Sequence, residues 1–190
     1  FTIFHLIGQH FDYSQRCPQK LKHVSVKMLN RKDLSPENQK IMCDYDNSIL
    51  YNDIVLSKIV DFYKDKDAVI LYMSDHSEGM FAPGISSKWV RSSFANIDYA
   101  NAYENFQIPL WIYCTDSYIQ KRRNTFDAIR KASRLPYMTD LMPYLVMHLA
   151  GVRYDGYDDR KDILSPHYNS KRKRLLRKKV DYNKLIESQR

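Results

Sequence analysis

The run Ala68-Val69-Ile70-Leu71 is apolar and partly β-branched, and it leads through Tyr72-Met73-Ser74 into Asp75-His76-Ser77-Glu78. A run of this kind reads as a buried strand whose C-terminal end delivers two metal-capable side chains to a sheet edge. Open α/β sheets place their chemistry at that edge. Asp75 offers a hard anionic oxygen and His76 a neutral imidazole nitrogen. Together they suit Zn²⁺ or Mn²⁺ better than Ca²⁺. Two ligands do not close a site, so further ligands are expected from elsewhere.

The rest of the chain alternates strand and helix signals. Phe1 to Ile7 reads as a strand and 8–19 as a polar loop. Residues 20–40 are poorly periodic, with a helix start or turn at Ser35-Pro36-Glu37-Asn38. A strong helical pattern runs over 47–66, with Asn52, Asp53, Ser57, Lys58, Asp61, Lys64 and Asp65 on a polar face and Ile49, Leu50, Ile54, Leu56, Ile59, Val60 and Phe62 as the apolar remainder. An irregular stretch over 77–107 precedes a second apolar strand at 108–113. Thr115-Asp116-Ser117 then forms an N-cap cluster for a helix over about 117–133. Thr139-Asp140 caps another helix, which tolerates Pro143 in its first turn and stops at Gly151. This rhythm predicts an α/β fold with a mostly parallel sheet covered by helices, in one domain or half of one.

Composition sharpens the reading at two points. The formal charge is +8, but seven of the 30 Lys and Arg lie in 171–179 (KRKRLLRKK), leaving 23 against 22 Asp and Glu. The basicity is therefore one local patch, expected as a solvated helix face, with an anionic lipid surface or phosphate partner as the alternative and nucleic acid last. No run approaches the roughly 18–20 apolar residues that span a bilayer. The chain opens inside the first strand with neither an initiator Met nor a basic n-region, and reads as a fragment or processed product. The three cysteines, Cys17, Cys43 and Cys114, fit no CxxC pattern and leave at least one thiol free.

Histidine is scarce, at six residues, so its placement matters. His5 lies within the first strand. His10 follows Gly8, which permits a sharp exit from the strand. Were the strands at 1–7 and 68–73 parallel neighbours, His10 would meet Asp75 and His76 on one rim; otherwise it is an exposed loop histidine. Glu78 either points back at a metal or substrate proton or caps the next turn. His148 reads as structural, and His23 and His167 receive no role. Asp44 and Asp46 read as helix N-terminal acids favoured by the macrodipole. There is no Gly-rich phosphate loop, GxSxG elbow, HExxH or dinucleotide fingerprint.

Three blocks of this sequence resemble the sulfatase-like branch of the alkaline phosphatase superfamily, in particular the bacterial phosphoethanolamine transferases that modify lipopolysaccharide. They are Phe4-His5-Leu6-Ile7-Gly8-Gln9-His10 with Tyr13 and Arg16, Tyr45-Asp46-Asn47-Ser48-Ile49-Leu50-Tyr51-Asn52-Asp53, and Ser74-Asp75-His76-Ser77-Glu78. Gln107-Ile108-Pro109-Leu110-Trp111 and Arg160-Lys161-Asp162-Ile163-Leu164-Ser165-Pro166 are similar as well. The resemblance implies the C-terminal half of an alkaline-phosphatase-like α/β/α sandwich over 1–168, with 169–190 as a basic helical tail.

It also implies a zinc-dependent transfer through a phospho-threonine, with Mn or another divalent metal as an alternative. Asp75 and His76 would be metal ligands, His10 and Glu78 catalytic, and His5 substrate-binding. The implied partners are a phospholipid donor, an anionic glycolipid acceptor and a membrane surface, reached through upstream spans and through the basic tail. The implied location is the bacterial inner membrane with the catalytic domain facing the periplasm. A sulfatase or phosphodiesterase, hence a hydrolase, and a degenerate glycolipid-binding homologue are the alternatives. Two departures from the family pattern stand out. Ser77 replaces the usual Gly after Asp-His, and no histidine occurs between Ser77 and Gln107. The nucleophilic Thr and the remaining acidic ligands would lie upstream of Phe1, so the fragment alone is expected to be inactive.

Overall fold

In a computed structural model, residues 1–81 and 102–189 are described. They form two compact units: one from 63–77 and 106–189 together with Phe1, the other from 2–62 and the described part of 78–105. Most of the irregular stretch expected over 77–107 lies outside the described residues.

The first unit is built on two strands, β1 (Val69–Met73) and β2 (Leu110–Cys114). They pair antiparallel, with Val69 opposite Cys114 and Met73 opposite Leu110. Both strands stand where the apolar runs put them, and the α/β class holds. The parallel pairing does not, since among the described residues every ladder is antiparallel. The register is pinned at both ends. Ser74 N–H donates to the Pro109 carbonyl (3.3 Å), and Thr115 N–H donates to the Ala68 carbonyl (3.1 Å).

Thr115 is fully buried and does three jobs. Its hydroxyl donates to the Lys66 carbonyl (2.7 Å) and accepts from Ala68 N–H and Tyr118 N–H (3.2 Å each). The last contact caps α3 (Asp116–Lys121). Thr115→Val keeps the shape and strands these partners. It should destabilise the chain by about 2 kcal/mol, read as a lower urea midpoint at unchanged slope. An unshifted midpoint would mean that the hydroxyl is not the link.

The helix expected over 117–133 is broken in two, α3 and α4 (Arg123–Ala132), at Arg122, whose backbone leaves the helical region (φ −133°, ψ 49°). A 3-10 turn at Thr139–Leu141 leads into α5 (Met142–Leu149) with Pro143 in its first turn. Gly151 ends α5 in the left-handed region (φ +69°). There its N–H reaches the His148 carbonyl and Val152 N–H the Met147 carbonyl, the double bond of a Schellman stop. Ala132, Leu145, Ile163 and Leu164 form the core of this unit, against which Leu71, Ile112, Ile129 and Tyr137 pack.

The basic tail is only partly helical. Residues 175–181 form a small hairpin of β3 (Leu175–Leu176) and β4 (Val180–Asp181), followed by α6 (Tyr182–Glu187). The solvated helix face expected for 171–179 is therefore a strand-and-turn face. The chain reverses because Arg177 and Lys178 both adopt positive φ.

In the second unit the long helix α1 (Pro36–Tyr63) starts at the Ser35-Pro36 signal, well before residue 47. Its buried residues are Cys43, Asp44, Asn47, Ser48 and Asn52, whereas Ile49, Leu50 and Phe62 are exposed. The expected faces are thus exchanged at these positions. The reason is polar pairing: the Asn47 amide accepts from His23 N–H and Val24 N–H (2.7 and 2.9 Å) and donates to the Val24 and Cys43 carbonyls. Asp44 and Asp46 consequently sit in the helix interior and do not serve its N-terminus. Burial works against ionisation of Asp44, but Lys22 (2.9 Å) and Lys40 (2.8 Å) outweigh it and hold the carboxyl below its usual range. Burial pushes Asp46 up.

The strand expected at Phe1–Ile7 does not form. Among the described residues no strand pairs with this segment, and an isolated strand has no ladder to satisfy its backbone. Phe1, Ile3 and Ile7 are correspondingly exposed.

Candidate metal and phosphoryl site

The exit of β1 is organised by short backbone contacts. Ser74 Oγ donates to the His76 carbonyl (2.6 Å), folding the chain back on itself just past the strand. His76 N–H then donates to Asp75 Oδ1 (3.0 Å), which fixes the carboxylate. The second oxygen, Oδ2, lies 3.8 Å from His76 Nε2. His76 Nδ1 sits 2.8 Å from the Ser77 carbonyl, so Nδ1 carries the proton and the lone pair stays on Nε2. This is the tautomer a metal-binding imidazole uses when a carbonyl holds its other nitrogen.

The pair passes a simple test of fit. Two ligands at ~2.0–2.1 Å from a tetrahedral ion lie roughly 3.4 Å apart, and Nε2 and Oδ2 need close by only a few tenths of an ångström to match. Asp75 is exposed at 87% of its side chain, so a cation can reach it. Among the described residues no group of three or more His, Cys, Asp or Glu could hold a metal. Within the described residues the candidate seat therefore consists of two side chains, Asp75 and His76.

Ser77 does not burden this turn. The non-glycine residues with positive φ are Phe81, Arg177 and Lys178. A glycine at 77 is therefore not required by the backbone, and the Ser77 carbonyl is itself the His76 anchor.

His5, His10 and Glu78 belong to the other compact unit. Gly8 takes φ +53°, and His10 N–H closes the turn on the Ile7 carbonyl (3.2 Å), the sharp exit its sequence position implies. His10 is exposed, with Nδ1 2.6 Å from the Phe11 carbonyl, which again leaves the lone pair on Nε2. The Arg16 guanidinium braces this loop, donating to the His10 (2.7 Å) and Phe11 (3.2 Å) carbonyls. Tyr13 anchors it from below, buried and edge-on to Phe11 and Tyr45. His5 is exposed, and Glu78 is half-buried with its carbonyl accepting from Met80 N–H. The structure therefore joins Asp75 to His76, and His10 to Arg16.

Sequence reasoning passed over one polar cluster. His148 Nδ1 lies 2.5 Å from Asp162 Oδ2, Tyr157 OH donates to the same oxygen (2.8 Å), and Leu164 N–H donates to Oδ1 (3.0 Å). Asp162 is fully buried. Burial, then the Asp162 carboxylate, pushes the Tyr157 hydroxyl well above the usual phenol range and keeps it a donor. A histidine on a helix and an aspartate 14 residues later carry no spacing signal, so only the fold reveals them.

Comparison with known proteins bears on the family and the fold of the chain. The family model described as Sulfatase matches residues 1–152. A phosphoethanolamine transferase, EptC, of Escherichia coli O18:K1:H7 is 28% identical over 177 residues, which are 87% of this chain and 28% of that protein. A Kdo(2)-lipid A phosphoethanolamine 7''-transferase of E. coli K12 is 26% identical over 122 residues, 64% of this chain and 20% of that protein. The chain thus spans less than a third of these relatives. The crystal structure of the C-terminal periplasmic domain of E. coli EptC in complex with Zn superposes with a TM-score of 0.70 at 22% identity. It covers 93% of this chain and 49% of that one. The fold is therefore the alkaline-phosphatase-like α/β fold of that domain.

Proposed function

The chain belongs to the sulfatase family, and from that premise we propose that it is the C-terminal part of the catalytic domain of a zinc-dependent phosphoethanolamine transferase acting on lipopolysaccharide. The observation that carries this reading is the Asp75–His76 pair at the exit of β1, with Nε2 and Oδ2 3.8 Å apart. The relatives named above are transferases, and their names give the hydrolase alternative no support.

Asp75 and His76 would hold the zinc, which when bound supplies a Lewis acid for phosphoryl oxygens and lowers the pKa of a hydroxyl nucleophile. The other ligands and the nucleophilic Thr would come from chain outside 1–190. In the first half-reaction the Thr oxygen bonds to phosphorus as the bond to the diacylglycerol oxygen breaks. In the second, an oxygen of the anionic glycolipid displaces the Thr. Through Nε2, His10 would donate a proton to a leaving oxygen or neutralise the phosphoryl group. Arg16 holds the loop that presents it. Glu78 would take a proton from the incoming group, and His5 would contact the bound phosphoethanolamine ester. The domain would face the periplasm beside the inner membrane. Among the described residues no helix is long and apolar enough to cross a membrane.

The test compares the 190-residue chain with the longer protein this reading calls for, using labelled phosphatidylethanolamine and lipid A. The short chain is expected to give no transfer. The longer protein should transfer label, lose that activity to a chelator and regain it with zinc. Transfer by the short chain, or release of label to water without transfer by the longer one, would overturn the proposal.

A further inference from the structure

The run 171–179 concentrates seven basic side chains on the segment leading into the hairpin and on its turn, and the structure divides them by use. Two of its three arginines, Arg172 and Arg174, are tied to fixed partners, and Arg177 is exposed at the turn. Arg172 pairs with Asp140, and Arg174 donates to Asn183 (2.7 Å) with its guanidinium 5.0 Å from the Tyr182 ring centre. Tyr182 is itself buried, held by Gln107 (2.8 Å) and edge-on to Phe106. The base of the hairpin is thereby fastened to its unit. The lysines turn outward: Lys171, Lys173, Lys178 and Lys179 are all exposed, and among the described residues no carboxylate pairs with them. The nearby Asp181 is occupied as the N-cap of α6, accepting from Asn183 and Lys184 N–H.

The tip adds a second observation. Lys179 N–H donates to the Leu176 carbonyl (3.0 Å), closing a turn whose central residues are Arg177 (φ +49°) and Lys178 (φ +60°). Asn-Gly or Asp-Gly meets that geometry at far lower cost. Two cations here are kept against backbone preference, as strained residues at functional surfaces commonly are.

We propose that the segment 171–179, the hairpin turn together with the residues leading into it, is an electrostatic docking surface for an anionic phospholipid bilayer, seated by Lys171, Lys173, Lys178 and Lys179. Lysine is a compact point charge suited to the diffuse field of a charged leaflet, whereas arginine's planar fork suits the fixed partners that Arg172 and Arg174 have here. Nucleic acid fits less well, since the outward face of 171–179 carries no aromatic side chain on which bases could stack. The surface rests on the transferase reading for its purpose, bringing the domain to lipid-borne substrates, and the binding itself does not depend on that reading.

The experiment is co-sedimentation of the 190-residue chain with phosphatidylethanolamine vesicles, with and without phosphatidylglycerol, at low and high salt. Two variants of equal charge are compared, K171Q/K173Q/K178Q/K179Q and K20Q/K27Q/K32Q/K58Q, the second set being exposed lysines elsewhere. Circular dichroism checks that both keep the fold. Wild type is expected to bind only the phosphatidylglycerol vesicles and to be released by salt. The hairpin variant should lose roughly fivefold per lysine, and the control should lose far less. Equal losses in the two variants, binding to neutral vesicles, or preferential binding of a single-stranded oligonucleotide at the same salt would overturn the assignment. Because no activity is read, a negative result here leaves the transferase proposal standing, and a failed transfer assay leaves this one.

Discussion

If the proposed function holds, His76→Ala, made in the longer protein it calls for, is expected to reduce phosphoethanolamine transfer about a thousandfold or more and to abolish stoichiometric zinc. A bound metal contributes several kcal/mol of charge stabilisation in the transition state, and each ~1.4 kcal/mol is tenfold in rate. Asp75→Ala should do the same, since its Oδ2 is the other donor aimed at the seat. Ser77→Gly separates this proposal from a merely structural turn. Because no left-handed φ demands glycine at 77 and the carbonyl that meets His76 Nδ1 is backbone, which glycine keeps, that variant should stay within about threefold of wild type. Transfer and zinc are the readouts, the latter by elemental analysis. Full zinc occupancy in the His76→Ala protein would sink the assignment even if activity fell.

Legibility in the sequence followed the range of the interactions involved. The Thr115 cap, the Pro143 helix start and the Gly151 stop were legible because each rests on contacts within a few residues, and the β1 and β2 segments because their apolar runs are a local pattern. Gly8 belongs with them, since its positive φ is a local property. Strand direction was not local. The antiparallel pairing of β1 with β2 is fixed by Thr115 meeting Lys66 and Ala68 across 47–49 residues. The Phe1–Ile7 segment failed for the same reason, because strand propensity without a partner makes no strand. In α1 the hydrophobic pattern misled, since Asn47 draws a polar face inward to the backbone of 23–24. The site divides likewise. Asp75-His76 is adjacent in sequence and could be read, whereas the His148–Asp162 cluster could not. Arg16 was noticed only as part of a family block, and its work is to brace the His10 loop.

Asp162→Ala is expected to cost about 3–5 kcal/mol, the largest stability loss of any single change considered. The carboxylate is fully buried and accepts from His148, Tyr157 and Leu164 N–H. Truncation leaves His148 Nδ1–H and Leu164 N–H facing no acceptor and leaves the Tyr157 hydroxyl only the Tyr144 carbonyl at 3.3 Å, in a low-dielectric site where an unmade bond costs more than a made one contributes. The damage also falls on the core, because Ile163 and Leu164 beside it pack with Leu145, one turn from His148 on α5. Such a loss is a large fraction of the roughly 5–15 kcal/mol that holds an ordinary domain together. Asp162→Asn keeps the shape and one accepting oxygen, so it should cost closer to ~1–2 kcal/mol. His148→Ala leaves the carboxylate with two donors and should fall between the two. The decisive measurement is the double variant. Once Asp162 is gone, removing His148 takes away an unsatisfied donor, so Asp162→Ala with His148→Ala should cost less than the sum by about 1–3 kcal/mol. Urea unfolding of the 190-residue chain reads all four. Should Asp162→Ala prevent folding altogether, Asp162→Asn paired with His148→Ala carries the same comparison. Strict additivity in that cycle, or an Asp162→Ala protein within ~1 kcal/mol of wild type, would show that the buried carboxylate does not organise this core.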